Sequence, residues 1–194
     1  MLNTLSLFLF SERKKGSSFK SLPFLLKGIG SLILIQGLIL SAYADPIKAA
    51  KDRTEVSDFE LQDLKGNYVQ LSQYKGKVVV VNFWATWCGP CKQELPHLSR
   101  ILKENKKQGL VILAISTDSP QTQAQVATMA RRWSVKTLLD PDGTVVDQLN
   151  PRGVAPYTIF VDRKGRMASD HDGYHVGDEV EMEKTIKTLL KEKE

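Results

Sequence analysis

The chain has 194 residues, 42% of them hydrophobic and 25% charged, with 27 Lys and Arg against 22 Asp and Glu. This composition fits one globular domain plus an added segment, and such a domain buries a proper core without staples. No clustered basic and aromatic stripe speaks for nucleic acid, and the two cysteines share one motif, which leaves no structural disulfide elsewhere.

The positive excess lies at the N-terminus. Residues 1–28 carry Arg13, Lys14, Lys15, Lys20 and Lys27 against Glu12, and an apolar run from Ile29 to Leu40 follows. The small residues Ala42 and Ala44 then form an A-x-A site, so residues 1–44 are expected to be a signal peptide cleaved after Ala44. An uncleaved membrane anchor from Leu22 to Tyr43 is the alternative. No cysteine follows the run to carry a lipid anchor. Without this segment the charge is near neutral, with 22 basic and 21 acidic residues left.

Residues 45–55 are polar and read as a flexible leader, with the folded domain expected over 56–194. Phe59, Leu61 and Leu64 before Lys65-Gly66-Asn67, and Tyr68, Val69 and Leu71 after it, predict a β-hairpin. Val78 to Trp84 is a run of β-branched and aromatic residues without alternation, which suits a strand buried on both faces. It leads into Ala85-Thr86-Trp87-Cys88-Gly89-Pro90-Cys91. Proline at a helix start costs no hydrogen bond, because the first helical amides lack internal acceptors. Leu95, Leu98, Ile101 and Leu102 then mark the buried face of that helix, which ends near Lys106-Lys107-Gln108-Gly109. Cys88 is thereby placed at a helix N-terminus.

Leu110 to Ser116 reads as a second buried strand, followed by a polar loop, a helix over 122–133 and a short strand at 137–139. Asp140-Pro141-Asp142-Gly143 is a turn, 144–149 a short helix, and Asn150-Pro151-Arg152-Gly153 a break. Residues 157–161 and 167–174 predict an antiparallel hairpin, and 179–191 an amphipathic helix burying Met182, Ile186, Leu189 and Leu190. Helices alternating with strands, then a late hairpin, give an α/β class with a mixed central sheet flanked by helices.

Two cysteines separated by two residues at a helix start point to thiol-disulfide exchange. The positive end of the helix favours a thiolate at Cys88, and Cys91 one turn along is placed to resolve a mixed disulfide. Tetrahedral zinc would need two further ligands, and the chain has no other cysteine and no closely paired histidines. A copper-binding metallochaperone would need His171 and His175 to converge on the cysteines as ligands. His97 on the motif helix is expected to be partly exposed.

The string Asn82-Phe83-Trp84-Ala85-Thr86-Trp87-Cys88-Gly89-Pro90-Cys91 resembles the thioredoxin superfamily. Lys92-Gln93-Glu94-Leu95-Pro96 and the preceding hairpin are similar to its exported TlpA/ResA/DsbE-like thiol-disulfide oxidoreductases. The resemblance spans about Val56 to Leu190. It implies a thioredoxin-like fold with an N-terminal β-hairpin and an extra helix and strand between Cys91 and Pro156. It implies that Pro156 is cis beside the cysteines and that Ala155 offers its backbone to an extended peptide, with Trp87, Gly89 and Pro90 on the substrate-meeting surface. It further implies a partly buried Glu94 of raised pKa that moves protons. Asn82 stands where thioredoxin has a buried aspartate, and a neutral amide takes up no proton, so Glu94 would carry that role alone.

No cofactor is implied beyond the redox-active Cys88–Cys91 disulfide, and no metal. The expected substrates are protein disulfides, such as the haem-site cysteines of apocytochrome c or a copper-delivery protein. Electrons would come from a membrane thiol transporter of the CcdA/DsbD kind, with the protein a periplasmic or otherwise extracytoplasmic monomer. Gly89-Pro90 matches the thioredoxin pair and tilts the direction towards reduction. The same motif also suits a disulfide-forming oxidant, and the hairpin-first organisation also resembles peroxiredoxin-like peroxidases. Peroxiredoxin-like proteins carry threonine three residues before the reactive cysteine, where this chain has Ala85.

Overall fold

A computed structural model describes residues 47–193. The expected signal peptide lies outside the described residues. Eight strands form one sheet: β1 (Thr54–Glu55), β2 (Glu60–Asp63), β3 (Tyr68–Gln70), β4 (Val78–Trp84), β5 (Leu110–Ser116), β6 (Lys136–Leu139), β7 (Tyr157–Val161) and β8 (Arg166–Asp172). Their spatial order is β1-β8-β7-β4-β5-β6-β2-β3. The β4–β5 and β5–β6 pairs are parallel and the remaining pairs antiparallel, so the sheet is mixed. The helices are α1 (Gly89–Asn105), α2 (Gln123–Ala130), α3 (Thr144–Leu149) and α4 (Asp178–Lys191).

β4 lies at the centre between β5 and β7, and all seven of its residues are buried. Period-two alternation divides them between two cores. Val78, Val80 and Trp84 face α1, α2 and α4, where they meet Leu95, Leu98, Ile101, Val126, Met182 and Ile186. Val79, Val81 and Phe83 face the opposite core, closed by Phe59, Leu61 and Val69 of the β2–β3 region and by Val145 and Leu149 of α3. This explains the absence of alternation in the sequence, since both faces of the strand need apolar side chains.

The first hairpin turns at Gly66, which has φ +81°, and Asp63 Oδ1 accepts hydrogen bonds from the backbone N–H of Lys65 and Asn67. Its β2 strand continues the sheet beyond β6. The helix expected over 122–133 is shorter. Pro120–Thr122 forms a 3-10 turn, α2 ends at Ala130, and Ser134 N–H donates to Ser99 Oγ of α1 at 2.9 Å. Trp133 leaves the helix and meets Trp84 edge-on, with ring centroids 5.2 Å apart.

The leader expected over 45–55 is corrected across its described part. β1 pairs with β8, Thr54 opposite Met167 and Glu55 opposite Arg166. Arg53 is buried, donating to Asp162 Oδ2 at 3.1 Å and to both carboxylate oxygens of Glu192 at 2.6 and 2.7 Å. A polar composition suggests flexibility, but the charges are partnered across long sequence separations, which a single sequence does not display. Among the described residues no helix is long and apolar enough to cross a membrane.

Candidate active site

β4 ends at Trp84, and the chain turns through Ala85, Thr86 and Trp87, with Cys88 N–H donating to the Ala85 carbonyl at 3.1 Å. Cys88 caps α1: its backbone is extended, and its Sγ accepts from Cys91 N–H at 3.1 Å. Pro90 occupies the first turn, as expected of a residue lacking an N–H where none is needed. One helical turn brings the two cysteines to a Cα separation of 5.4 Å, and they are joined as a disulfide. Cys91 is fully buried and Cys88 is 3% exposed, whereas Gly89 and Pro90 lie at the surface and Trp87 is 71% exposed. The pair therefore opens to solvent on the Cys88 side, beside an uncovered indole.

Three polar side chains lie behind the disulfide, on the face of the sheet that meets α1. Asn82 Nδ2 donates to Glu94 Oε2 at 2.8 Å and to Thr158 Oγ1 at 2.8 Å, and Thr158 Oγ1 donates to Glu94 Oε1 at 2.8 Å. Glu94 is not partly but completely buried. Burial pushes its carboxyl up to about 7, the bonds from Thr158 and Asn82 pull in the opposite direction, and nearby Asp178 adds to the rise. Asn82 Oδ1 is buried without a hydrogen-bond partner. No signal in the sequence marks Thr158 as a member of this group. It sits opposite Asn82 in the β4–β7 register, and only strand pairing across 76 residues places it there.

The Ala155–Pro156 peptide bond is cis. Pro156 is buried, and Ala155 packs against the core cluster that contains both cysteines. The Pro156 carbonyl accepts from Gly173 N–H at 2.8 Å, while among the described residues nothing hydrogen-bonds the Ala155 backbone. The predicted site residues Trp87, Cys88, Gly89, Pro90, Cys91 and Glu94 thus share one helix start, with Ala155 packed at the core cluster of the cysteines and the buried Pro156 next to it in the chain.

The histidines take other partners. His97 is half-buried and stacks on Tyr174, with ring centroids 6.1 Å apart. His171 Nε2 lies 3.1 Å from Asp178 Oδ2, and the exposed His175 Nδ1 lies 3.7 Å from the same oxygen. Their common neighbour is thus a carboxylate at the start of α4.

A dithiol–disulfide pair capping a helix on a mixed sheet, beside a cis proline and a buried carboxyl, defines a thioredoxin-like thiol-disulfide oxidoreductase. Residues 53–169 match the AhpC/TSA family, and the chain belongs to it. A thiol-disulfide oxidoreductase ResA of Geobacillus kaustophilus is 33% identical over 124 residues, covering 64% of this chain and 71% of the relative. The ResA of Bacillus subtilis is 32% identical over 141 residues, covering 70% and 77%. Among solved structures, a protein assigned as the thiol:disulfide interchange protein DsbE of Chlorobium tepidum superposes with a TM-score of 0.65 at 28% identity, over 71% of this chain and 96% of that one. The exposed lipoprotein thioredoxin Etrx1 of Streptococcus pneumoniae gives 0.57 at 29% identity, over 69% and 100%.

Proposed function

We propose that this protein is an exported reductant of protein disulfides. The observation that carries the reading is the Cys88–Cys91 disulfide at the α1 N-terminus, with a buried carboxyl that titrates near neutrality one turn further along the same helix. In the reduced protein Cys88 is the nucleophile, since the helix N-terminus and the Cys91 amide stabilise negative charge on its sulfur.

The Cys88 thiolate attacks one sulfur of a substrate disulfide, forming a mixed disulfide and releasing a substrate thiolate that takes up a proton. Cys91 then loses its proton and attacks Cys88 Sγ. The second substrate thiolate leaves, and two electrons have passed from this protein to the substrate. Glu94 follows Cys91 by three residues, the spacing that brings helix side chains together, and serves as the group that takes and returns the Cys91 proton. Its near-neutral titration suits that task, because neither protonation state is costly at working pH.

Trp87, Gly89 and Pro90 form the docking surface around Cys88. The unpaired Ala155 backbone, held by cis Pro156, receives an extended substrate segment as a short added strand. Export rests on the sequence of residues 1–44, read as a cleaved signal peptide or a membrane anchor. In an extracytoplasmic space the fitting substrates are apocytochrome c or a copper-delivery protein, with a membrane donor of the CcdA/DsbD kind restoring the dithiol. Dithiol exchange is favoured over peroxide reduction by the bonded partner Cys91 and by Ala85, which offers no hydroxyl to the sulfur site.

The test is the redox equilibrium of the purified protein in graded dithiothreitol and glutathione buffers, followed by thiol alkylation. A midpoint near or below about −250 mV is expected of a reductant. A midpoint near about −120 mV would reverse the proposed direction and mark a disulfide-forming oxidant.

A further inference from the structure

Asp118 lies in the turn after β5 and is 3% exposed. Its carboxyl group gathers four donors from three separate segments. Thr86 N–H donates to Oδ2 at 2.8 Å and Thr86 Oγ1 to Oδ1 at 2.5 Å. Ser116 Oγ donates to Oδ2 at 3.0 Å, and Thr122 Oγ1 to Oδ1 at 3.1 Å. The Asp118 N–H in turn donates to Ser116 Oγ at 3.2 Å. Two of the four bonds go to Thr86, which immediately precedes Trp87 and Cys88. Lys92 Nζ reaches the carbonyl of Thr86 at 3.3 Å, and Thr117 N–H donates to the Trp84 carbonyl at 3.0 Å.

The loop before Cys88 is therefore tied to the loop after β5 through one carboxyl group. Trp87 itself is largely exposed, so its own packing does little to fix it. A buried carboxyl with several donors is a stiff post, because each lost bond leaves a buried polar group unsatisfied.

We propose that Asp118 is a positioning residue for substrate docking: it clamps Thr86 so that Trp87 is presented in a fixed place, and joins the 117–122 loop to that surface. The substrate class is an extended protein segment, which meets both loops, rather than a small thiol, which needs only the cysteine sulfur. The inference rests on the reading of Trp87 as a docking side chain.

The experiment compares Asp118→Asn, Thr86→Val and Trp87→Ala with the parent protein. It measures KM and kcat for reduction of insulin disulfides, and separately the equilibrium constant with dithiothreitol. Asp118→Asn is expected to raise KM for insulin by about tenfold, the worth of roughly one buried hydrogen bond, with the dithiothreitol equilibrium changed less than about twofold. Thr86→Val, which keeps the amide bond and loses the hydroxyl bond, is expected to carry part of the same rise, and it tests the clamp should Asp118→Asn fail to fold. A KM unchanged in both clamp variants while Trp87→Ala raises it would overturn the inference and leave the docking reading standing. A KM unchanged in Trp87→Ala would remove the docking reading and this inference with it. An equilibrium constant that shifts in step with KM would overturn the clamp in favour of a general structural role.

Discussion

A carboxyl group sealed behind a disulfide makes stability and chemistry depend on the same proton. Glu94 has an ordinary value of 4.5 and about 7 in the fold, raised above all by burial. The native state binds the proton more tightly than the unfolded chain, so this group's contribution is complete below pH 4.5 and is lost as the pH rises to about 7. The loss amounts to about 3 kcal/mol. Glu94→Gln, which keeps the shape without the charge, is expected to match the parent near pH 4 and to exceed it in stability near pH 8 by up to about 3 kcal/mol, read from urea midpoints. The same variant is expected to flatten the pH profile of disulfide reduction. Thr158→Val removes a bond that lowers the Glu94 value, so carboxyl titration followed by NMR is expected to move above that of the parent. An unchanged titration would mean that the Thr158 bond does not lower the Glu94 value and that the opposing pull comes from Asn82.

Among the elements, α1 bears the greatest load, since its first turn holds the cysteines and its next turns fill the core. Cys91, Leu95, Leu98 and Ile101 are all fully buried, and Pro96 is accommodated inside the helix at an exposed position. α4 packs alongside through Met182, Ile186 and Leu189. Ile186 is completely buried there, so Ile186→Ala is expected to cost about 2–5 kcal/mol in denaturant unfolding. The redox equilibrium of the cysteine pair is expected to stay near the parent value, because the hydrogen bond on Cys88 Sγ comes from the Cys91 amide of α1 itself and Ile186 carries no polar group. A large shift in that equilibrium would show that α4 packing, and not only the α1 N-terminus, sets the sulfur chemistry.

Across the molecule, the two ends of β4 serve different purposes. Its C-terminal end delivers the cysteine motif. On the side of the sheet edged by β1, Arg53 joins Asp162, at the β7–β8 turn, to Glu192 just beyond α4. Arg166 reinforces Asp162 at 2.8 Å. Arg53→Ala removes one partner of a buried charge pair and leaves Asp162 with Arg166, so a loss of about 3 kcal/mol is expected in urea unfolding, with disulfide exchange rates unaffected in the folded protein. Exchange rates falling in parallel would indicate that the ion pairs of Arg53, just before β1, also support the site.

Much of this protein was written in its sequence because the information is local. The strand at 78–84, the capping Cys88 with Pro90, the turn at Gly66 and the apolar face of α4 follow from hydrophobic period, turn chemistry and the missing amide of proline, each decided by near neighbours in the chain. Resemblance added Pro156 and Glu94, whose roles no local rule reveals. What the tertiary structure decided was pairing at a distance. Thr158 meets Asn82 and Glu94 through strand register, Asp118 meets Thr86 across 32 residues, and Arg53 finds Glu192 across 139. A polar residue reads the same in sequence whether water or a buried partner will satisfy it, and only the folded chain supplies the partner.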